Sequence, residues 1–166
     1  MPIRYLLLLL LSWATAAGQV HPSGRSASQA AAPKAASAAP ECPWLTRGTA
    51  AVLLDGEVTL TVTTNGALQG SCVFHRQQQT AETLVLTVSG RPSPSCHRGG
   101  VPLQGIANWA SECMIRQLQA RRVESIVGQA RDRYFEITLT FEAAQGWEAR
   151  SAELRNIAEQ VAGSLY

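Results

Sequence analysis

Residues 41–166 of this 166-residue chain predict an α+β domain. It has a five-stranded, mainly antiparallel sheet, an N-terminal and a C-terminal helix packed on one face, and two disulfides. Three observations predict it. Short runs alternate apolar and polar residues with period two and are separated by turn residues. The two ends of the region carry helical spacing instead. The four cysteines, Cys42, Cys72, Cys96 and Cys113, are even in number and all lie inside it.

Taken in order, Thr46 is an N-cap, residues 49–54 form a short helical body, and Asp55-Gly56 ends it, with the glycine suited to a left-handed C-cap. Residues 57–64, EVTLTVTT, alternate strictly and form a half-buried strand, turned at Asn65-Gly66. Residues 70–76 give a second strand, with Cys72 and Phe74 on one face and Val73 and His75 on the other. Residues 84–88 give a third, with Leu84, Leu86 and Val88 facing inward. Residues 90–104 are rich in Pro, Ser and Gly and read as irregular. Ile106, Trp109 and Cys113 predict one or two helical turns over 105–114, and the polar stretch 116–122 reads as a loop or frayed helix. Residues 123–130 and 134–142 form a hairpin turned at Arg131-Asp132-Arg133, whose second arm alternates Phe135, Ile137, Leu139 and Phe141 with polar neighbours. After Gly146 a helix runs over about 149–165, its apolar stripe made by Leu154, Ile157, Ala158, Val161, Ala162 and Leu165. Strands joined by short turns pair antiparallel, and helices from the two ends cover one face, leaving a Thr- and Glu-rich face to water.

The first 40 residues differ in kind. Arg4, the leucine run Leu6–Leu11 and Ala14-Thr15-Ala16 (with Thr15-Ala16-Ala17 equally usable) have the form of a signal peptide over residues 1–17. The apolar run falls short of the ~20 residues needed to span a bilayer. No cysteine follows the cleavage site, so lipid attachment there is not expected. Residues 18–40 are mostly Ala, Ser and Pro, too poor in large apolar groups to offset ordering entropy, and predict a disordered tether. A secreted or periplasmic location follows, and with it disulfides.

Charge excludes one class of partner. The net +2 includes Arg4, Arg25 and Lys34, leaving 11 cations against all 12 acids in residues 41–166, a balance of −1. A nucleic-acid surface needs a basic excess, so none is expected. No other stretch is apolar enough for a transmembrane segment after signal cleavage.

Chemistry-bearing motifs are weighed against plainer roles. Cys96-His97 sits in the Pro- and Gly-rich stretch PSPSCHRGG. Structural zinc sites pair ligands at C-x₂₋₄-C or H-x₃₋₅-H spacing, and no such pair exists here, so no metal is expected. A thiol catalyst needs a free, activated cysteine, which an even count in an exported chain opposes. Two disulfides remain, Cys42–Cys72 with Cys96–Cys113 preferred and Cys42–Cys113 with Cys72–Cys96 open. The motifs G-x-S-x-G, H-E-x-x-H, G-x-x-x-x-G-K and G-x-G-x-x-G are absent. His75 reads as a solvated strand residue with no assignable nucleophile. No catalytic residue, cofactor or cofactor-binding residue is expected. Trp44, Trp109 and Trp147 read first as seals of the core edge; Trp109 and Trp147, with Arg131 and Arg133 at the hairpin tip, are the candidate partner surface.

The frame resembles a group of bacterial secreted or envelope lipoprotein-like domains. The residues carrying this are Cys42-Pro43-Trp44-Leu45-Thr46, Gly70-Ser71-Cys72-Val73-Phe74 and Gly105-Ile106-Ala107-Asn108-Trp109-Ala110, followed by a hairpin and a closing helix. That group is similar in fold to the extracytoplasmic sensor domain of bacterial receptor Ser/Thr kinases. The resemblance implies a disulfide-bonded α+β domain with a binding or sensing role, and assigns no functional residues. This chain departs from the group in lacking a lipobox cysteine and a kinase segment. The expectation is an exported, non-enzymatic binding or sensor-like domain of the bacterial cell envelope, its partner a protein, peptide or small envelope ligand. The alternative is a small secreted hydrolase or thiol enzyme.

Overall fold

A computed structural model describes residues 39–166 apart from 67, 80, 94, 95, 97–99, 119 and 143–145, and not the side chains of 114–118. The expected signal peptide, residues 18–38 of the expected tether, and His97 lie outside the described residues. From Ala38 to Tyr166 the chain forms one compact unit.

Helix α1 spans Arg47–Leu53. Thr46 is extended and its Oγ1 accepts the Thr49 N–H at 3.1 Å, satisfying a first-turn donor. At the other end Asp55, at φ 52°, takes the left-handed position expected of Gly56. Aspartate is among the few side chains that tolerate it.

Strands β1 (Val58–Thr64), β2 (Gly70–Arg76) and β3 (Thr83–Ser89) form the expected meander. The sheet then departs from expectation. It has seven strands, not five, all paired antiparallel, in the order β1-β2-β3-β7-β6-β5-β4. The two extra strands, β4 (Val101–Leu103) and β5 (Trp109–Leu118), lie where an irregular stretch, helical turns and a loop were expected. Two substitutions of polarity hide β5. Glu112 lies on the helix-covered face, where Arg155 reaches it at 2.7 Å. Cys113 lies on the open face, in a disulfide. A register shift between Met114 and Arg116 breaks the period again. The hairpin arms β6 (Arg121–Ala130) and β7 (Arg133–Glu142) are longer than the alternation showed, with only Arg131 and Asp132 in the turn and Arg131 at φ 55°. Helix α2 (Trp147–Ser164) starts two residues earlier than expected, after Gly146 at φ 54°.

Both helices cover one face. The α2 residues Leu154, Ile157, Ala158 and Val161 are fully buried against Ile126, Ile137, Leu139 and Phe141, while Ala50, Leu53 and Leu54 bury the α1 end against Cys72 and Phe74. Each fully buried Leu, Ile or Phe is worth about 1.5–3 kcal/mol. Two buried acids lock α2 down. Glu82 accepts from Arg76 at 3.1 Å and from Arg150 at 3.2 Å. Glu124 accepts from Arg122 and from Ser151 of α2.

Disulfides join Cys42 to Cys72 and Cys96 to Cys113, with Cα atoms 5.9 and 6.1 Å apart. The first fixes the chain before α1 to β2, and the second fixes the β3–β4 connection to β5.

Gly128 on β6 is a point of close approach. A Cβ there would collide with the Phe135 ring and lie 2.9 Å from the Trp109 carbonyl oxygen. Since backbone cannot yield cheaply, Gly128→Ala is expected to destabilise the domain by about 1–3 kcal/mol. Urea unfolding followed by tryptophan fluorescence checks this, and an unchanged midpoint would contradict it.

Candidate functional site

Strand order dictates where a site is built. β3 sits beside β7, but β4 lies at the far edge beyond β7, β6 and β5. The chain leaving β3 must therefore reach the far edge to enter β4, and its described residues Ser93 and Cys96 are fastened on the face without helices. Two fastenings hold it there. Ser93 Oγ donates to Glu136 Oε2 on β7. Further on, Cys96 is bonded to Cys113 on β5.

Before the first fastening the chain leaving β3 borders a groove of 240 Å³ against the sheet. Its floor is two cross-strand pairs of β3 and β7, Thr87 opposite Glu136 and Ser89 opposite Tyr134, and its wall is Arg91, Pro92 and Ser93. These are the residues that alternate away from the core side chains Leu86, Val88, Phe135 and Ile137, so the period-two pattern itself aims them outward.

Glu136 is half-buried and organises the floor. Besides Ser93, the hydroxyls of Ser125 and Thr138, 2.9 Å apart, stand 3.4 and 3.5 Å from its Oε1. Ser89 Oγ donates to the Arg91 carbonyl at 2.6 Å and sets the start of the wall. The row through Ser89 and Tyr134 continues to Gln129 and Trp109. Trp109 is 44% exposed, and its Nε1 donates to Gln129 Oε1 at 2.9 Å. The residues around this recess, Glu136, Tyr134, Arg91 and the hydroxyl residues Thr87, Ser89 and Ser93, include hydrogen-bond donors and acceptors, with Trp109 on the same row.

The four residues expected to form a partner surface are not one surface. Trp109 and Arg131 share an end of the domain with Tyr166. The Arg131 guanidinium lies 5.2 Å from the Tyr166 ring centre, and Tyr166 Oη donates to Asn108 Oδ1 at 2.7 Å. Arg133 is turned inward and spends its Nη1 on the Leu68 carbonyl at 2.8 Å. Trp147 opens α2 at the opposite end, about 27 Å away along the helix, with Arg122 stacked 4.1 Å over its ring. Trp44 is buried, as a seal of the core. Tyr134 and Glu136 share a face of β7 by alternation, but Ser93 and Arg91 join them only once β7 lies beside β3, so the sequence does not show the recess.

His75 lies on the open face opposite Thr59 and Thr83, roughly 15 Å from Glu136 by strand spacing. No thiolate nucleophile is available, since all four cysteines are in disulfides. Among the described residues no cluster of metal-ligating side chains occurs, and no helix is long and apolar enough to cross a membrane. Searches of family models, curated proteins and solved structures give no match to this chain.

Proposed function

We propose that this chain is an exported, non-enzymatic binding or sensor-like domain of the bacterial cell envelope, and that its ligand sits in the groove between residues 91–93 and strands β3 and β7. The observation that carries this is the convergence of Glu136, Tyr134, Arg91 and Ser93 on one open recess, on a face the helices leave bare. The opposite face is a filled core, so the groove is not a packing defect. Disulfides are at home in an oxidising compartment, which agrees with the signal-like start of the sequence. The motif resemblance to envelope sensor domains, carried by residues 42–46, 70–74 and 105–110, is the reason for preferring recognition over catalysis. Glu136, an acceptor at the floor, favours a ligand that brings N–H donors, such as an amine or an extended peptide.

Glu136→Gln keeps an acceptor for Ser93 but removes the charge. It is expected to leave the melting temperature nearly unchanged and to cut ligand recovery about tenfold, the worth of one charge-assisted hydrogen bond. Quantitative mass spectrometry of material crosslinked to the wild-type and variant chains in the native envelope checks it. Equal recovery would remove Glu136 from the site.

A further inference from the structure

We infer that the outer edge of β1 is a self-association surface, on which a second copy of this chain pairs antiparallel through β1 about a two-fold axis at Thr61. The two edges of the sheet are treated differently. β4 is three residues long and carries Pro102, which offers no N–H. β1 is seven residues long, with no proline, no charge and no register shift. Those are the features by which edge strands usually avoid pairing. Among the described residues no backbone group bonds to its outer side.

The ladder shows which groups face outward. Gln77 N donates to the Glu57 carbonyl and Asn65 N to the Gln69 carbonyl, both at 2.9 Å. Bonded pairs alternate along an antiparallel ladder, so Thr59, Thr61 and Thr63 direct their backbone groups toward β2. Val58, Leu60, Val62 and Thr64 direct theirs outward. An antiparallel copy centred on Thr61 sets Val58 opposite Thr64 and Leu60 opposite Val62, so every outward group finds a partner. Thr59 then faces Thr63, and Thr61 faces itself, at the non-bonded sites where side chains come closest. Beyond the strand Glu57 meets Asn65 rather than another acid. The half-exposed Leu60 and Val62 are covered, and the side chains of Thr59, Thr61 and Thr63, exposed or nearly so, form hydroxyl pairs. From Thr59 to Thr63 this pairing is palindromic in its apolar residues and its hydroxyls, and the whole strand lacks charge, which is why the occupant is a second copy. The two grooves would then lie on the same side of one continuous sheet.

Sedimentation velocity on the chain expressed from Met1, from micromolar to near-millimolar concentration, tests this. Wild type is expected as a concentration-dependent dimer. Thr61→Lys is expected to be monomeric with an unchanged melting temperature, because two lysines meet on the axis. Mixing Thr61→Lys with Thr61→Glu is expected to restore the dimer. Val62→Pro, which deletes an outward donor without touching the β2 ladder, is expected to be monomeric as well. A wild type monomeric throughout, a Thr61→Lys chain still dimeric, or a mixture that stays monomeric would overturn it.

Discussion

Replacing Cys42 and Cys72 together with alanine is expected to lower stability by about 3–4 kcal/mol, from the entropy restored to the unfolded chain. The bridge closes a separation of 30 residues. For a domain of this size the loss corresponds to a fall of about 10–15 °C in melting temperature. The structural reason for a large effect is α1. Seven residues are too few for an independently stable helix, so its place over β1 and β2 rests on Leu45, Leu53, Leu54 and this bridge. Cys72 is also fully buried, and its loss opens space beside Phe74 and Leu86. Thermal unfolding by circular dichroism measures it. Hydrogen exchange should show α1 opening first. A shift of only a degree or two would mean the helix is held by packing alone.

Phe141→Ala is expected to cost about 3–5 kcal/mol, the transfer term plus the cavity left behind. Phe141 is fully buried near the end of β7, and the Arg150 guanidinium lies 5.5 Å from its ring centre. Arg150 also reaches Glu82, so the ring supports the ion pairs that hold α2 to the sheet. With a total stability of about 5–15 kcal/mol for a natural domain, this single change should leave a measurable unfolded fraction in mild urea. Phe141→Leu, which keeps most of the volume, should cost less than half as much. Equal losses for the two variants would show that the cavity is not the cause.

The sequence alone carried the parts of the fold where pattern and burial agree. The α1 N-cap, the β2 boundaries, the inward faces of β3 and β7 and the α2 stripe were all readable from local chemistry. What it could not carry was β5. There, Ile106, Trp109 and Cys113 imitate helical spacing, while Glu112 and Cys113 each sit on the face opposite to their usual preference because a tertiary partner, Arg155 or Cys96, holds them. Without β4 and β5, the fastening of Ser93 and Cys96 on the open face could not be foreseen, nor the groove walled by Arg91, Pro92 and Ser93. The stretch around Cys96 reads as a loop needing a staple; the bond of Cys96 to β5 and the contact of Ser93 with Glu136 on β7 are consequences of strand order. Likewise Arg133 looks available at a hairpin tip, and only the fold turns it toward Leu68.

The most direct test of the groove as the ligand seat is site-specific photocrosslinking in the native cell. A photoreactive side chain at Thr87, on the groove floor, is compared with one at Thr140, on the same open face but away from the recess. The expected result is a discrete adduct from Thr87 that weakens in the Glu136→Gln background, with none from Thr140. No adduct from Thr87, or the same adduct from both positions, would contradict a ligand seat in this groove.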